Sequence, residues 1–263
     1  MIGLLPTASY HLPNFTHCVE RVNFYDGSLN PAIGKEGVFH LHPDGVFEII
    51  FQLGTPVWQR APGEEWQIRE DAFIGGLFKG HYELKIVPAT RLISIRCKAG
   101  MAKYLIPEKL DQFTNQLVPY QDLWKNQLAE QLSATNDHQR QLQLIAASLR
   151  KWLRPQRRTV IDTSVQHLLQ HNGTTDLPTL AQNASLSTAQ FRKRFCEEVG
   201  LSPKYFARIV RINAITAKLR TSTCEPLTEL GYRYGYFDQA HFIRDFQKVT
   251  GFTPGKYRLL TRS

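Results

Sequence analysis

Between residue 36 and about residue 98 apolar and polar positions alternate in short runs: Val38 to Leu41, Val46 to Leu53, Trp66 to Ile68, Tyr82 to Val87 and Leu92 to Cys97. Gly or Pro separates most of them. A period of two sends successive side chains to opposite faces, so Tyr82 to Val87 and Leu92 to Arg96 read as strands with one buried face. From residue 121 to 153 the spacing turns helical, with Leu123, Trp124, Leu128 and Leu132 in one segment and Leu142, Ile145, Leu149 and Trp152 or Leu153 in the next. The second set forms a stripe that suits either a dimer contact or the face packed on the β-rich region, with the dimer contact preferred. Pro155 disfavours helix at the residue before it, which makes Arg154 to Arg158 the linker to the C-terminal part of the chain.

That C-terminal part carries a repeat. Phe191, Phe195, Gly200, Ser202 and Pro203 recur as Phe242, Phe246, Gly251, Thr253 and Pro254, an offset of 51 positions. Each copy predicts an amphipathic helix stopped by Gly and followed by a Pro that opens another helix. A shorter helix precedes each, with a tight corner between, which is the pattern of scaffold and recognition helix in a helix-turn-helix unit. In the first unit Asp176 caps a helix from Leu177 to about Asn183, Ala184-Ser185-Leu186 make the corner, and Ser187 caps the next helix. In the second, Pro226 opens the helix, Gly235 supplies the turn and Asp238 is the cap. Phe206, Ile209, Val210 and Ile212 mark a connecting helix from Pro203 to about Leu219.

Over about Arg158 to Arg262 these residues resemble the DNA-binding domain of the AraC/XylS family of bacterial transcription regulators. The resemblance rests on Ala181, Leu186 and Ser187 in the first unit, Arg211 in the connecting helix, and Gly235, Asp238, Gln239, Phe242, Arg244, Phe246, Gly251, Thr253, Pro254, Tyr257 and Arg258 in the second. The chain departs from the family pattern at Lys193, Arg194, Ile215, Gly231, Ala240 and Asp245, and none of these removes the architecture. The helical phase set by the Phe pairs turns Ala189 and Lys193, and Ala240 and Arg244, outward. The resemblance adds Arg192, Gln239 and Ile243 as base-edge or groove contacts, and Ser187 and Asp238 complete the DNA-facing set. It implies double-stranded DNA as the partner, with a small-molecule effector, a second copy of the chain and, for an activator, RNA polymerase as further partners.

The 263 residues and 42% hydrophobic content allow two domains, each with its own core. Charge is divided unevenly: residues 156–263 carry 16 Lys and Arg against 8 Asp and Glu, while residues 1–155 carry 16 against 15. A basic surface alone usually means solubility, but here Arg192, Lys193, Arg194 and Arg244 fall on the recognition helices, where they can neutralise phosphates. Cys18, Cys97, Cys196 and Cys224 are far apart with no Cys-x-x-Cys pair, so they read as reduced thiols rather than a zinc site or disulfide framework. The N-terminus lacks a signal-peptide pattern and no apolar run reaches membrane-span length, so a cytoplasmic protein with no membrane partner is expected.

The N-terminal half offers less chemistry. His40, His42 and Glu48 come near the metal motif of cupin barrels, but alternate His on a strand more often mark a polar face, and no metal or cofactor is expected. The Pro43-Asp44-Gly45 segment also resembles that of an uncharacterised N-terminal domain found in one branch of the family. Phe39, Phe47, Phe51, Trp58, Trp66, Phe73, Phe78 and Tyr82 read as core, and no effector-binding residue is assigned. The expected fold is an α+β multidomain chain. Residues 1–120 form a β-rich sensor domain with a barrel or cupin-like form among its options, residues 121–155 a helical linker or dimerisation segment, and residues 156–263 an all-α double helix-turn-helix domain. The expected function is a transcription regulator, not an enzyme; the rivals are a metal-binding cupin-like enzyme and a DNA-repair enzyme with a reactive Cys18 or Cys97.

Overall fold

The computed structural model describes residues 4–29, 37–69, 71–154, 157–221 and 225–261. Pro155, Gln156, Cys224 and Arg262 lie outside them. Six strands pair antiparallel in the order β1 (Ala8–Tyr10), β2 (Val19–Asp26), β9 (Arg91–Cys97), β4 (Glu48–Gln52), β7 (Ala72–Gly75) and β10 (Leu117–Pro119). Four more pair antiparallel in the order β3 (Gly37–Leu41), β8 (Tyr82–Ile86), β5 (Trp58–Arg60) and β6 (Gln67–Ile68). Closure would give every strand two partners. Among the described residues β1, β10, β3 and β6 each have one, so the barrel option is corrected to two open sheets.

Strand alternation gives the larger sheet two different faces. On β4, Ile49 and Phe51 are fully buried, and their register partners Ile95, Ile93 and Ile74 are buried beside them. Glu48 and Ile50, one residue out of phase, turn to the other sheet. The apolar face is covered by α1 (Tyr120–Leu123), α2 (Leu128–Ser133) and α3 (His138–Trp152), whose Leu142, Ile145, Leu149 and Trp152 join the same core. Trp152 stacks on Trp124 with ring centroids 4.4 Å apart and planes 22° apart. The dimer reading of this stripe is therefore corrected. Each such side chain gains about 1.5–3 kcal/mol from burial, and the face is already spent inside one chain.

The C-terminal domain consists of α4 (Val160–Gln170), α5 (Leu177–Asn183), α6 (Thr188–Val199), α7 (Pro203–Thr221), α8 (Leu227–Arg233), α9 (Gln239–Thr250) and α10 (Pro254–Leu260). Phe191, Phe195, Phe206 and Ile209 belong to one continuous core with Phe47, Leu110 and Phe113 of the β-rich domain. Ile212, Ile215, Leu219, Phe242, Phe246 and Tyr257 form a second core of their own. The long helix α7 is thus buried in the first core along its N-terminal half and in the second along its C-terminal half. The two sheets enclose a cavity of about 420 Å³, closed at one end by α7.

Candidate nucleic-acid interface

Each recognition helix is set by local chemistry that the sequence carries. In the first unit Ser187 and Gln190 form a reciprocal capping box: the Gln190 N–H donates to Ser187 Oγ at 3.3 Å, and the Ser187 N–H donates to Gln190 Oε1 at 3.1 Å. In the second, Asp238 Oδ1 accepts from the His241 N–H at 2.7 Å. The corners hold a left-handed residue at the same place, Ser185 at φ 52° and Gly235 at φ 76°. Both recognition helices stop at a left-handed glycine, Gly200 at φ 90° and Gly251 at φ 79°.

The burial pattern then separates core from reading face. Phe191, Phe195, Phe242 and Phe246 are fully buried, and Ala189, Arg192, Lys193, Gln239, Ala240 and Arg244 are exposed; Ile243 is half-buried. Ser187 and Asp238 are exposed as well, with their side chains engaged as caps. Arg192, Lys193 and Arg244 make no ion pair among the described residues. Phe237, 91% exposed and immediately before the Asp238 cap, lies on the same edge, although a search for charge and hydrogen-bonding groups passes over it.

Departures from the family pattern find structural partners. Asp245 accepts from Arg208 Nε of α7 at 3.0 Å, tying the second recognition helix to the connecting helix. Arg194 pairs with Glu198 at 3.3 Å. A Cβ on Gly231 would come within 3.1 Å of the Phe242 ring, so the small residue lets scaffold and recognition helices close up. Ile215 is fully buried in the second core. Arg211 donates to the Gly173 carbonyl at 2.7 Å and lies 5.1 Å over the Tyr236 ring, linking both units through α7.

The N-terminal domain holds the opposite end of each reader. Thr114 Oγ1 donates to the Gly200 carbonyl, and Phe47 lies where a Gly200 side chain would be. Lys109 pairs with Glu197 at 2.8 Å. Deeper, Lys103 Nζ lies 2.5 Å from Asp162 Oδ1 and 2.6 Å from Glu198 Oε2, joining the β-rich domain to α4 and α6. At the second unit the contacts are rings: His40 on Phe252 at 5.2 Å, His42 on Tyr257 at 5.9 Å, and His81 against Gly251.

The cupin-like candidates are dispersed by these contacts. His40 Nδ1 pairs with Glu83 at 3.0 Å, His42 packs on Tyr257, and Glu48 is held by Arg96. Among the described residues no group of three His, Cys, Asp or Glu side chains is placed to hold a metal ion. Cys18 and Cys97 are buried; burial pushes the Cys18 thiol up to about 11 and raises that of Cys97 as well, the reverse of an activated nucleophile. No helix among the described residues is long and apolar enough to cross a membrane.

Two helix-turn-helix units with exposed recognition helices, carried on one connecting helix behind a β-rich domain, define a double helix-turn-helix architecture. The C-terminal domain belongs to the AraC/XylS family of helix-turn-helix transcription regulators. Residues 180–259 match the family described as a helix-turn-helix domain, and residues 11–119 match a domain of unknown function (DUF6597). The arabinose operon regulatory protein of Salmonella typhimurium is 29% identical over 142 residues, 48% of this chain and 50% of that protein. The HTH-type transcriptional regulator MtrA of Neisseria gonorrhoeae is 33% identical over 75 residues, 28% of this chain and 25% of that one. The chain thus spans about half the length of the first of these relatives or less. Among solved structures, ToxT of Vibrio cholerae aligns over 86% of this chain and 98% of its own at a TM-score of 0.48 and 8% identity. The DNA-binding domain of AdpA in complex with a target DNA aligns over 40% of this chain and 95% of its own at a TM-score of 0.38 and 25% identity.

Proposed function

We propose that the chain is a sequence-specific transcription regulator that binds double-stranded promoter or operator DNA in the cytoplasm. The observation that carries this reading is the pair of recognition helices whose outward faces are exposed opposite the buried Phe191 and Phe195, and Phe242 and Phe246. The first helix presents Ala189, Arg192 and Lys193, and the second presents Gln239, Ala240, Ile243 and Arg244. Ser187 and Asp238 start the two helices beside the duplex. Arginine suits the guanine edge and the Ile243 side chain a thymine methyl. With both units fixed on α7, their sites lie in successive major grooves about 34 Å apart. The basic excess of residues 156–263 supplies the phosphate contacts.

The N-terminal domain serves as the sensor, its cavity reaching the helix that joins the readers. A small-molecule effector, a second copy of the chain and, where the outcome is activation, RNA polymerase complete the set of partners. No catalytic step and no cofactor belong to this reading. Selection of binding sites from random DNA tests it: Arg192→Ala should relax base preference in one half of the site and Arg244→Ala in the other, each costing about 1–3 kcal/mol. Loss of preference at the same base pairs in both variants, or no change in either, would refute the two-reader assignment.

A further inference from the structure

The space between the two sheets is built unlike a packed core. Tyr25, Ser94, Arg96 and Glu48 project into it from neighbouring strands of the larger sheet, and Tyr82 and Gln59 from the smaller one. Apolar walls complete it at Ile50, Phe73, Leu84 and Leu92. Polar groups placed between sheets lose hydration and cost stability, and a volume of about 420 Å³ falls within the range of small-molecule sites. Asn213, Thr216, Ala217 and Arg220, at helical spacing on α7, form the end wall.

Charge selects the ligand. All three guanidinium nitrogens of Arg96 are engaged: Nε by Glu20 at 2.9 Å, Nη2 by Asp44 and Nη1 by Glu48. Glu20 is also paired with Arg21 at 2.9 Å, so three carboxylates around two cations leave a local excess of one negative charge, carried by Asp44 and Glu48 at the cavity, and an incoming anion would find the Arg96 guanidinium already used. His42 adds no charge near neutral pH, because burial holds its imidazole down at about 4. The other lining cation, Arg220, is exposed and donates to the Tyr257 hydroxyl at 2.9 Å. Burial raises the Glu48 carboxyl above its ordinary range, against the pull of Arg96, so a second cation beside it would be welcome. The rings of Tyr25, Phe73, Phe78 and Tyr82 line the same space and offer π faces to a cation.

We propose that this cavity binds a small organic amine as its cation, the ammonium group held by Asp44 and Glu48 and the apolar body lying among Ile50, Phe73, Leu84 and Leu92. The proposal rests on the sensor reading of the N-terminal domain and deepens it by naming the class of effector. An ammonium group brings three donors to carboxylates that can only accept.

The test uses the full-length chain and three probes of one shape, 2-phenylethylamine, 2-phenylethanol and 3-phenylpropanoate, titrated calorimetrically into the millimolar range. The amine should bind at least about tenfold more tightly than either of the others, a gap of about 1.4 kcal/mol. Glu48→Gln should remove at least that preference, and Leu84→Trp, which fills the cavity without changing charge, should abolish binding while the protein keeps its circular dichroism. Tighter binding of the carboxylate, equal binding of all three, no binding of the amine, or amine binding that survives both substitutions would overturn the proposal. DNA binding is measured separately on the same samples, so failure of the amine site and failure of the regulator reading give different results.

Discussion

Replacing Lys103 by Met tests whether the β-rich domain and the first reader are one folding unit. Lys103 is 8% exposed and joins Asp162, 6% exposed, and Glu198 across the boundary between the domains. Removing one partner of a buried ion pair costs about 3–5 kcal/mol, because the remaining charge stays buried. Here the carboxylates keep other donors: Tyr104 Oη to Asp162 at 2.7 Å, Thr159 Oγ1 to Glu198 at 2.6 Å and Arg194 to Glu198 at 3.3 Å. The lower end, about 3 kcal/mol, is therefore expected, a fall in Tm of about 6–12 °C for a chain of this size. Tryptophan fluorescence and far-UV circular dichroism separate the domains, since Trp58, Trp66, Trp124 and Trp152 all precede the linker whereas helix dominates the C-terminal part. Both signals should move together in Lys103→Met, and adding Glu198→Gln should recover part of the loss. A loss below about 1 kcal/mol, or a shift in dichroism with fluorescence unmoved, would refute the shared unit.

Gly200→Ala should destabilise more than Gly235→Ala: both carry the left-handed penalty of about 1–2 kcal/mol, but a Cβ on Gly200 would also meet the Leu110 carbonyl at 3.0 Å and Phe47 at 3.1 Å, while one on Gly235 has ordinary contacts. Urea unfolding of the two variants checks the order. Ser187→Ala removes a capping box and should cost about 1 kcal/mol by the same measurement. His42 is kept neutral by burial at a pKa of about 4, below its unfolded value, so the unfolded state takes up the proton first as pH falls. Its contribution is intact above about pH 6.5 and is lost progressively toward pH 4, and His42→Gln should flatten the slope of stability against pH in that window.

The second reader was legible almost residue by residue because its signals are local: a cap, a phase of apolar positions and a left-handed glycine each act within one turn of helix. Strands were legible where alternation is regular, as in β8 and β9. The long strand β2 escaped because its alternation is broken by a bulge between Val19 and Arg21, and α4 because its apolar positions Ile161 and Leu168 recur 51 positions later, as Ile212 and Leu219, only inside the long connecting helix and not as a separate helix. Its Thr159-x-x-Asp162 capping box was nevertheless present to be read. What no local pattern carries is placement. Lys103 with Glu198, or Glu48 with Arg96, meet across 95 and 48 residues, and such pairs exist only once the chain has folded. The same limit explains the stripe on α3, whose spacing fits an external partner as well as the sheet that in fact covers it.

The two helix-turn-helix units are held by different physics. The first shares a continuous apolar core with the β-rich domain and is fastened by Lys103 and Lys109, so displacing it means opening that core. The second has its own core and meets the β-rich domain through the rings of His40 and His42, through His81 at Gly251, and through the cavity wall on α7. Burial lowers the pKa of all three histidines, so protonating any of them weakens this seam and leaves the first core untouched. The cavity wall lies at the same place, because Asn213, Thr216 and Arg220 belong to the C-terminal half of α7, interleaved with Ile212, Ile215 and Leu219 of the second core, and Arg220 also donates to the Tyr257 hydroxyl. On the proposed reading of the N-terminal domain as a sensor, a ligand in this cavity is expected to change the placement of the second recognition helix more than that of the first. The two proposed sites, one helical turn apart, would be sensitive to that change, since both helices must enter their grooves in register for either set of base contacts to count in full.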